Sequence, residues 1–161
     1  MKPTVYVETT VIGYLAARIS NILRVAANQE TTRDWWENHR GRFDLFISRF
    51  VFHECSQGDP AAAHERLAYL EGIPLLQVPD DVISLAESLR TGVPLPEKAA
   101  TDALHISIAA VNGIQYLLTW NCTHIANPSF RPGIERVCRD SGYEAPVICT
   151  PQELLETDDV I

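Results

Sequence analysis

Two carboxylates stand where a folded chain seldom leaves them without a task. Glu8 closes the apolar run Val5-Tyr6-Val7, and Asp102 interrupts the apolar stretch 99–111. A third acid, Glu54, lies just beyond Phe50-Val51-Phe52, and an amide, Asn121, follows the strand-like run Tyr116-Leu117-Leu118-Thr119-Trp120. An acid at the exit of a buried element costs several kcal/mol unless it is paired, protonated or bound to a cation. No Lys or Arg lies beside any of the three in sequence. A divalent cation held by oxygen ligands is the simplest common explanation.

Each residue also has a plainer reading. Glu8 could be an exposed strand-end acid, or a helix cap whose carboxylate meets amide donors. Asp102 could be a buried Asp satisfied by backbone amides, Glu54 an exposed acid of a short amphipathic helix, and Asn121 a strand terminator acting by turn chemistry. His105 follows Asp102 by three residues and so shares its helix face. It could be a hydrogen-bonded core imidazole or a general base. Cys122 and His124 lack the second ligand pair that a zinc site needs, and none of the four cysteines forms a Cys-x-x-Cys pair. They read as reduced thiols. The chain has neither a Gly-x-Ser-x-Gly elbow nor a Gly-rich phosphate loop, which argues against an α/β hydrolase or a phosphatase.

The elements that must position these groups alternate between strand and helix patterns. Strands are expected at 4–8, 43–48, 74–78, 115–119 and 147–149, and helices at 11–17, 22–39, 49–56, 61–71, 80–91, 97–112, 133–141 and 152–156. Asp59 and Pro60 mark the start of one helix as N-cap and first-turn proline. Trp35 and Trp36 fall on adjacent helix positions, so one is expected inside and the other partly exposed, with a subunit or partner contact as the alternative. Strands separated by helical segments imply βαβ crossovers, a mostly parallel sheet and an α/β/α sandwich, with ligands outside the carboxyl ends of the strands. Glu8 and Asn121 both fall just past such an end.

The 161 residues suit one domain, expected over 1–156, with a frayed acidic tail at 157–161. No apolar run is long enough to span a bilayer and no secretory leader pattern opens the chain, so a cytoplasmic protein is expected. The net charge of −8 argues against a simple nucleic-acid coat protein. It leaves room for a metal nuclease, whose cations offset the charge of its own site, and it suits a basic partner segment.

Four stretches, Val5-Tyr6-Val7-Glu8-Thr9-Thr10, Glu54, Thr101-Asp102-Ala103-Leu104-His105 and Leu118-Thr119-Trp120-Asn121, resemble the PIN-domain nucleases in order and context. The likeness runs over essentially the whole chain and is greatest to the VapC-like toxins of type II toxin–antitoxin modules. It implies a doubly wound α/β/α fold and Mg²⁺- or Mn²⁺-dependent cleavage of RNA phosphodiesters. The family's acidic positions fall on Glu8, Glu54 and Asp102, and its fourth acidic or amide position on Asn121; these four would carry catalysis and hold the metal. Its hydroxyl positions fall on Thr9 and Thr119, which with His105 would serve the substrate or support the ligands. His124 and Asn127 would lie at the rim. Glu8 replaces the usual Asp and Asn121 a frequent Asp, so three charged ligands remain. The resemblance further implies an antitoxin partner and a homodimer. A catalytically silent PIN fold that binds protein or RNA is the alternative.

Overall fold

The computed structural model describes residues 1–155. Four parallel strands form one sheet: β1 (Thr4–Val7), β2 (Asp44–Phe46), β3 (Tyr116–Leu118) and β4 (Val147–Cys149), in the order β2-β1-β3-β4. Seven α-helices flank it among the described residues, giving a three-layer α/β/α sandwich. They are α1 (Thr9–Ala16), α2 (Leu23–Asp34), α3 (Arg49–Cys55), α4 (Pro60–Leu70), α5 (Asp80–Gly92), α6 (Ala100–Val111) and α7 (Arg131–Asp140). One group forms where α1 packs on α2, α3 and α4; a second forms where α5 packs on α6 and α7.

The central strands are apolar on both faces, as a doubly covered parallel sheet requires. Val5, Tyr6, Val7, Leu117 and Leu118 are all fully buried. The register sets Val7 opposite Leu118, so the Glu8 amide donates to the Leu118 carbonyl at 3.0 Å. From β1 the chain moves to β2 on one side, then returns across β1 to β3 on the other. The strand order therefore reverses between β1 and β3, and in open α/β sheets ligands bind at the carboxyl ends of the strands at such a point.

Three expectations differ from the structure. Residues 74–78 form no strand: Leu75 makes only an isolated bridge to Ile47, through Ile47 N to Pro74 O at 3.0 Å and Leu76 N to Ile47 O at 2.8 Å. Pro74 and Pro79 lack amide donors, which limits pairing at this edge. The segment that follows Thr150 and Pro151 is a turn, not a helix, through residue 154; residue 156 and the tail at 157–161 lie outside the described residues.

The third difference concerns Trp35 and Trp36, which are 0% and 7% exposed. Helix α2 widens into a π-helical turn over Trp35–His39. That extra residue per turn lets neighbouring indoles both turn inward. Trp35 packs on Phe43 with ring centroids 5.8 Å apart, and Trp36 meets the edge of Tyr69 at 5.9 Å beneath the Arg40 guanidinium.

Candidate active site at the carboxyl ends of β1 and β3

Glu8 is the residue at which β1 becomes α1. Its backbone is extended, and its carboxylate caps the helix by accepting from the Thr10 amide at 3.0 Å. The same oxygen, Oε2, accepts from the Thr10 hydroxyl and from Thr119 Oγ1 at 2.9 Å. The side chain is both cap and buried acid, 3% exposed. Three donors converge on Oε2, while Oε1 has no hydrogen-bond donor among the described residues. Burial raises the Glu8 pKa against the opposing pull of His105 and of these donors.

Thr119 stands opposite Glu8 because β3 lies in register beside β1. Its hydroxyl also accepts from the Asn121 amide at 2.9 Å, which folds the chain back over the strand end. Asn121 then reaches α6, donating from Nδ2 to Asp102 Oδ1 at 3.1 Å and accepting the His124 amide on Oδ1. The second Asp102 oxygen accepts from His124 Nδ1 at 2.9 Å. Asp102 is therefore satisfied by side chains rather than backbone amides, with 18% of its side chain exposed.

Glu54 is carried in by α3. Its Oε1 accepts from Thr9 Oγ1 at 2.7 Å and from His105 Nε2 at 2.7 Å. Oε2 has no partner among the described residues, and 36% of the side chain is exposed. Burial acts to raise the Glu54 pKa, but the hydrogen bond and charge of His105, with the Thr9 donor, hold it below the ordinary carboxylate value. His105 itself is wholly buried. Burial acts to lower its pKa, yet the Glu54 hydrogen bond and the charges of Glu8, Glu54 and Asp102 hold it above the ordinary imidazole value.

Behind His105 runs a polar chain that the sequence reading did not include. His105 Nδ1 bonds the Tyr6 hydroxyl at 2.7 Å, and Tyr6 shares a 2.7 Å hydrogen bond with Ser48 Oγ, the cap of α3. Tyr6 is fully buried, and desolvation pushes its pKa far up, so it remains a neutral phenol. The signal available in the sequence was the two-residue spacing of Tyr6 and Glu8, which sets them on one strand face. Ser107, the other polar exception on α6, is spent on the Val82 carbonyl of α5.

Glu8, Thr119, Asn121 and Asp102 form one hydrogen-bonded set and Thr9, Glu54 and His105 another; the two sets meet at His105, where the charges of Glu8 and Asp102 are felt. His124 joins them through Asp102. Asn127 does not: its amide closes a local turn with Thr123 and Ser129. No Lys or Arg makes a hydrogen bond or ion pair with these acids among the described residues; the partners are two imidazoles. A hollow of about 470 Å³ beside the end of α7, lined by Glu135, Arg139 and Tyr143, contains none of these groups.

The donor set is hard and anionic, the kind that Mg²⁺ or Mn²⁺ prefers. Oε1 of Glu8 and Oε2 of Glu54 accept no hydrogen bond among the described residues, whereas both oxygens of Asp102 already serve Asn121 and His124. No three of the His, Cys, Asp and Glu side chains are grouped as a ready cation cage among the described residues. Mg²⁺ keeps several waters and needs few protein ligands, so this donor set fits such an ion. The cysteines are free thiols, and Cys122 is exposed. Among the described residues, no helix is long and apolar enough to cross a membrane. No protein-family model matches the chain, and no curated protein matches it.

Proposed function

We propose that the chain is a metal-dependent endoribonuclease of the PIN type, the toxin of a toxin–antitoxin module, acting in the cytoplasm as a homodimer. The observation that supports this best is the asymmetry of Glu8. One oxygen is fixed by three donors and the other accepts from none among the described residues, at the point where the strand order reverses. A carboxylate so held is oriented before any ligand arrives.

Glu8, Asp102 and Asn121 would hold the Mg²⁺ or Mn²⁺ ion, with Glu54 reaching it through a water. When bound, the ion lowers the pKa of a water and offsets the charge that builds on the phosphorane-like transition state. The protein's own contribution is placement. Thr10 and Thr119 fix Glu8, while Thr9 and His105 fix Glu54 through Oε1, leaving Oε2 to take a proton from the attacking water. The water oxygen adds to phosphorus, the bond to the leaving ribose oxygen breaks, that oxygen takes up a proton from solvent water, and the proton on Glu54 returns to solvent. Asn121 is neutral, so the site has three carboxyl groups, and an arginine from an antitoxin would be drawn to them.

The test is RNA cleavage with and without Mn²⁺. Asp102→Ala should lower metal-dependent cutting at least about 100-fold, while the thermal unfolding curve remains cooperative. Cutting at the parental rate would sink the mechanism. The engagement of both Asp102 oxygens favours a second reading, a PIN fold that binds RNA or protein without cutting. Calorimetry separates the two, since a chain that takes up no Mn²⁺ and nicks no RNA is the silent module.

A further inference from the structure

We propose that the exposed face of α3 is the track for single-stranded RNA, with Arg49 and His53 gripping phosphates that flank the one to be cut; this rests on the ribonuclease reading above. Val51 and Cys55 anchor the helix in the core, and Ser48 caps its start. At 3.6 residues per turn, the other positions follow one another around the helix as Phe52, Arg49, His53, Phe50 and then Glu54. The first three are exposed, Phe50 is half-buried, and Glu54 turns into the site. An aromatic ring, a guanidinium and an imidazole therefore lead across one surface to the acid.

The charges along this face run against those of the chain as a whole. The protein carries a net charge of −8, yet the one acid of α3 is Glu54 itself. Among the described residues no carboxylate pairs with Arg49, whose guanidinium lies 5.2 Å from the Phe50 ring centre. Arg66 of α4 extends the cationic strip past the end of α3, donating to the Cys55 carbonyl at 3.0 Å and to the Gln57 carbonyl. Phe52 is 50% exposed and offers a face on which a base can stack. A cationic strip with an open aromatic, ending at a phosphodiester-cutting site, matches a single-stranded polyanion that has bases to stack.

One phosphate contact to a single strand contributes about 0.7 to the slope of log affinity against log salt. Referred to about 1 M salt, losing that contact weakens binding roughly eightfold at about 50 mM. The experiment is fluorescence anisotropy with a labelled single-stranded RNA oligonucleotide, titrated at several salt concentrations near neutral pH. It uses the Asp102→Asn chain, so that the RNA stays whole. Adding Arg49→Gln should weaken binding about eightfold at the lower salt and reduce the slope by about 0.7, whereas Arg49→Lys should keep the slope. Phe52→Ala should weaken binding with the slope unchanged. With Asp102 intact, Arg49→Gln should raise KM and leave kcat alone.

Equal affinity and slope with and without Arg49 would overturn the track. So would the absence of RNA binding at low salt, or an acidic peptide that needs Arg49 where RNA does not. Cleavage by the unaltered chain is scored separately. Binding through Arg49 without any cutting sinks only the nuclease reading, and cutting with Arg49-independent binding sinks only the track.

Discussion

Tyr6→Phe removes a single oxygen from the middle of the core and should loosen the site from behind. That hydroxyl makes two hydrogen bonds of 2.7 Å, to Ser48 Oγ and to His105 Nδ1, among side chains that are 0% exposed. Ser48 keeps a partner in the Val51 amide at 3.4 Å, but Nδ1 of His105 is left in the interior with none. A buried polar atom stripped of its partner costs about 1–3 kcal/mol, and the lost Ser48 bond adds about 0.5–1.5. The ring stays in place, so no cavity term enters. The expected loss is about 2–3 kcal/mol, or roughly 4–12 °C in Tm for a chain of this length. Urea titration should show an earlier midpoint at unchanged slope. Ser48→Ala should cost less, and the double variant should fall short of the sum of the two by at least about 0.5 kcal/mol, because both act through one chain of contacts. A loss below about 0.5 kcal/mol in Tyr6→Phe would refute the idea that this phenol holds His105.

Other outcomes follow from the same geometry. Thr9→Val removes the hydroxyl donor to Glu54, and calorimetry should then show Mn²⁺ affinity down about tenfold; unchanged affinity would mean that Glu54 needs no such support. Thr119→Val strands the Asn121 amide and takes a donor from Glu8, so it should cost about 2 kcal/mol in chemical denaturation despite its matched shape. Without added metal, stability should peak in mildly acidic solution. His105 is held above its ordinary 6.5, so its contribution is complete below that value and disappears as pH rises through the folded-state pKa. Glu54 is held below its ordinary 4.5, so its contribution is complete above that value and disappears as pH falls through the folded-state pKa. Glu8, raised by burial, adds to the loss at higher pH. A melting temperature that climbs steadily from mildly acidic to alkaline pH would contradict the protonated imidazole at the centre of the site.

Much of this was legible in the chain. The alternation of strand and helix patterns gives the parallel sandwich, and the acids at strand exits mark the end where the candidate site lies. What escaped was decided by contacts between distant segments. His105 finds Glu54 51 residues away and Tyr6 99 away, and no local pattern reports such partners. The pairing of Asp102 with His124 is likewise a product of the turns after β3. Residues 74–78 have a strand's apolar content, but Pro74 within them and Pro79 just after leave too few donors for a ladder. The two indoles depart from regular helix geometry, since adjacent positions on an α-helix point about 100° apart and only the π-helical turn brings both inward.

The crossing from β2 over β1 to β3 has a consequence for the newborn polypeptide. Glu8 emerges early, but its oxygen waits for Thr119, and the amide that meets Asp102 comes later still. A truncated translation product that stops short of Tyr116 holds Glu8 and Glu54 without the strand that carries Thr119. The groups that fix Glu8 and Asp102 are all in place only once the chain has been made through His124.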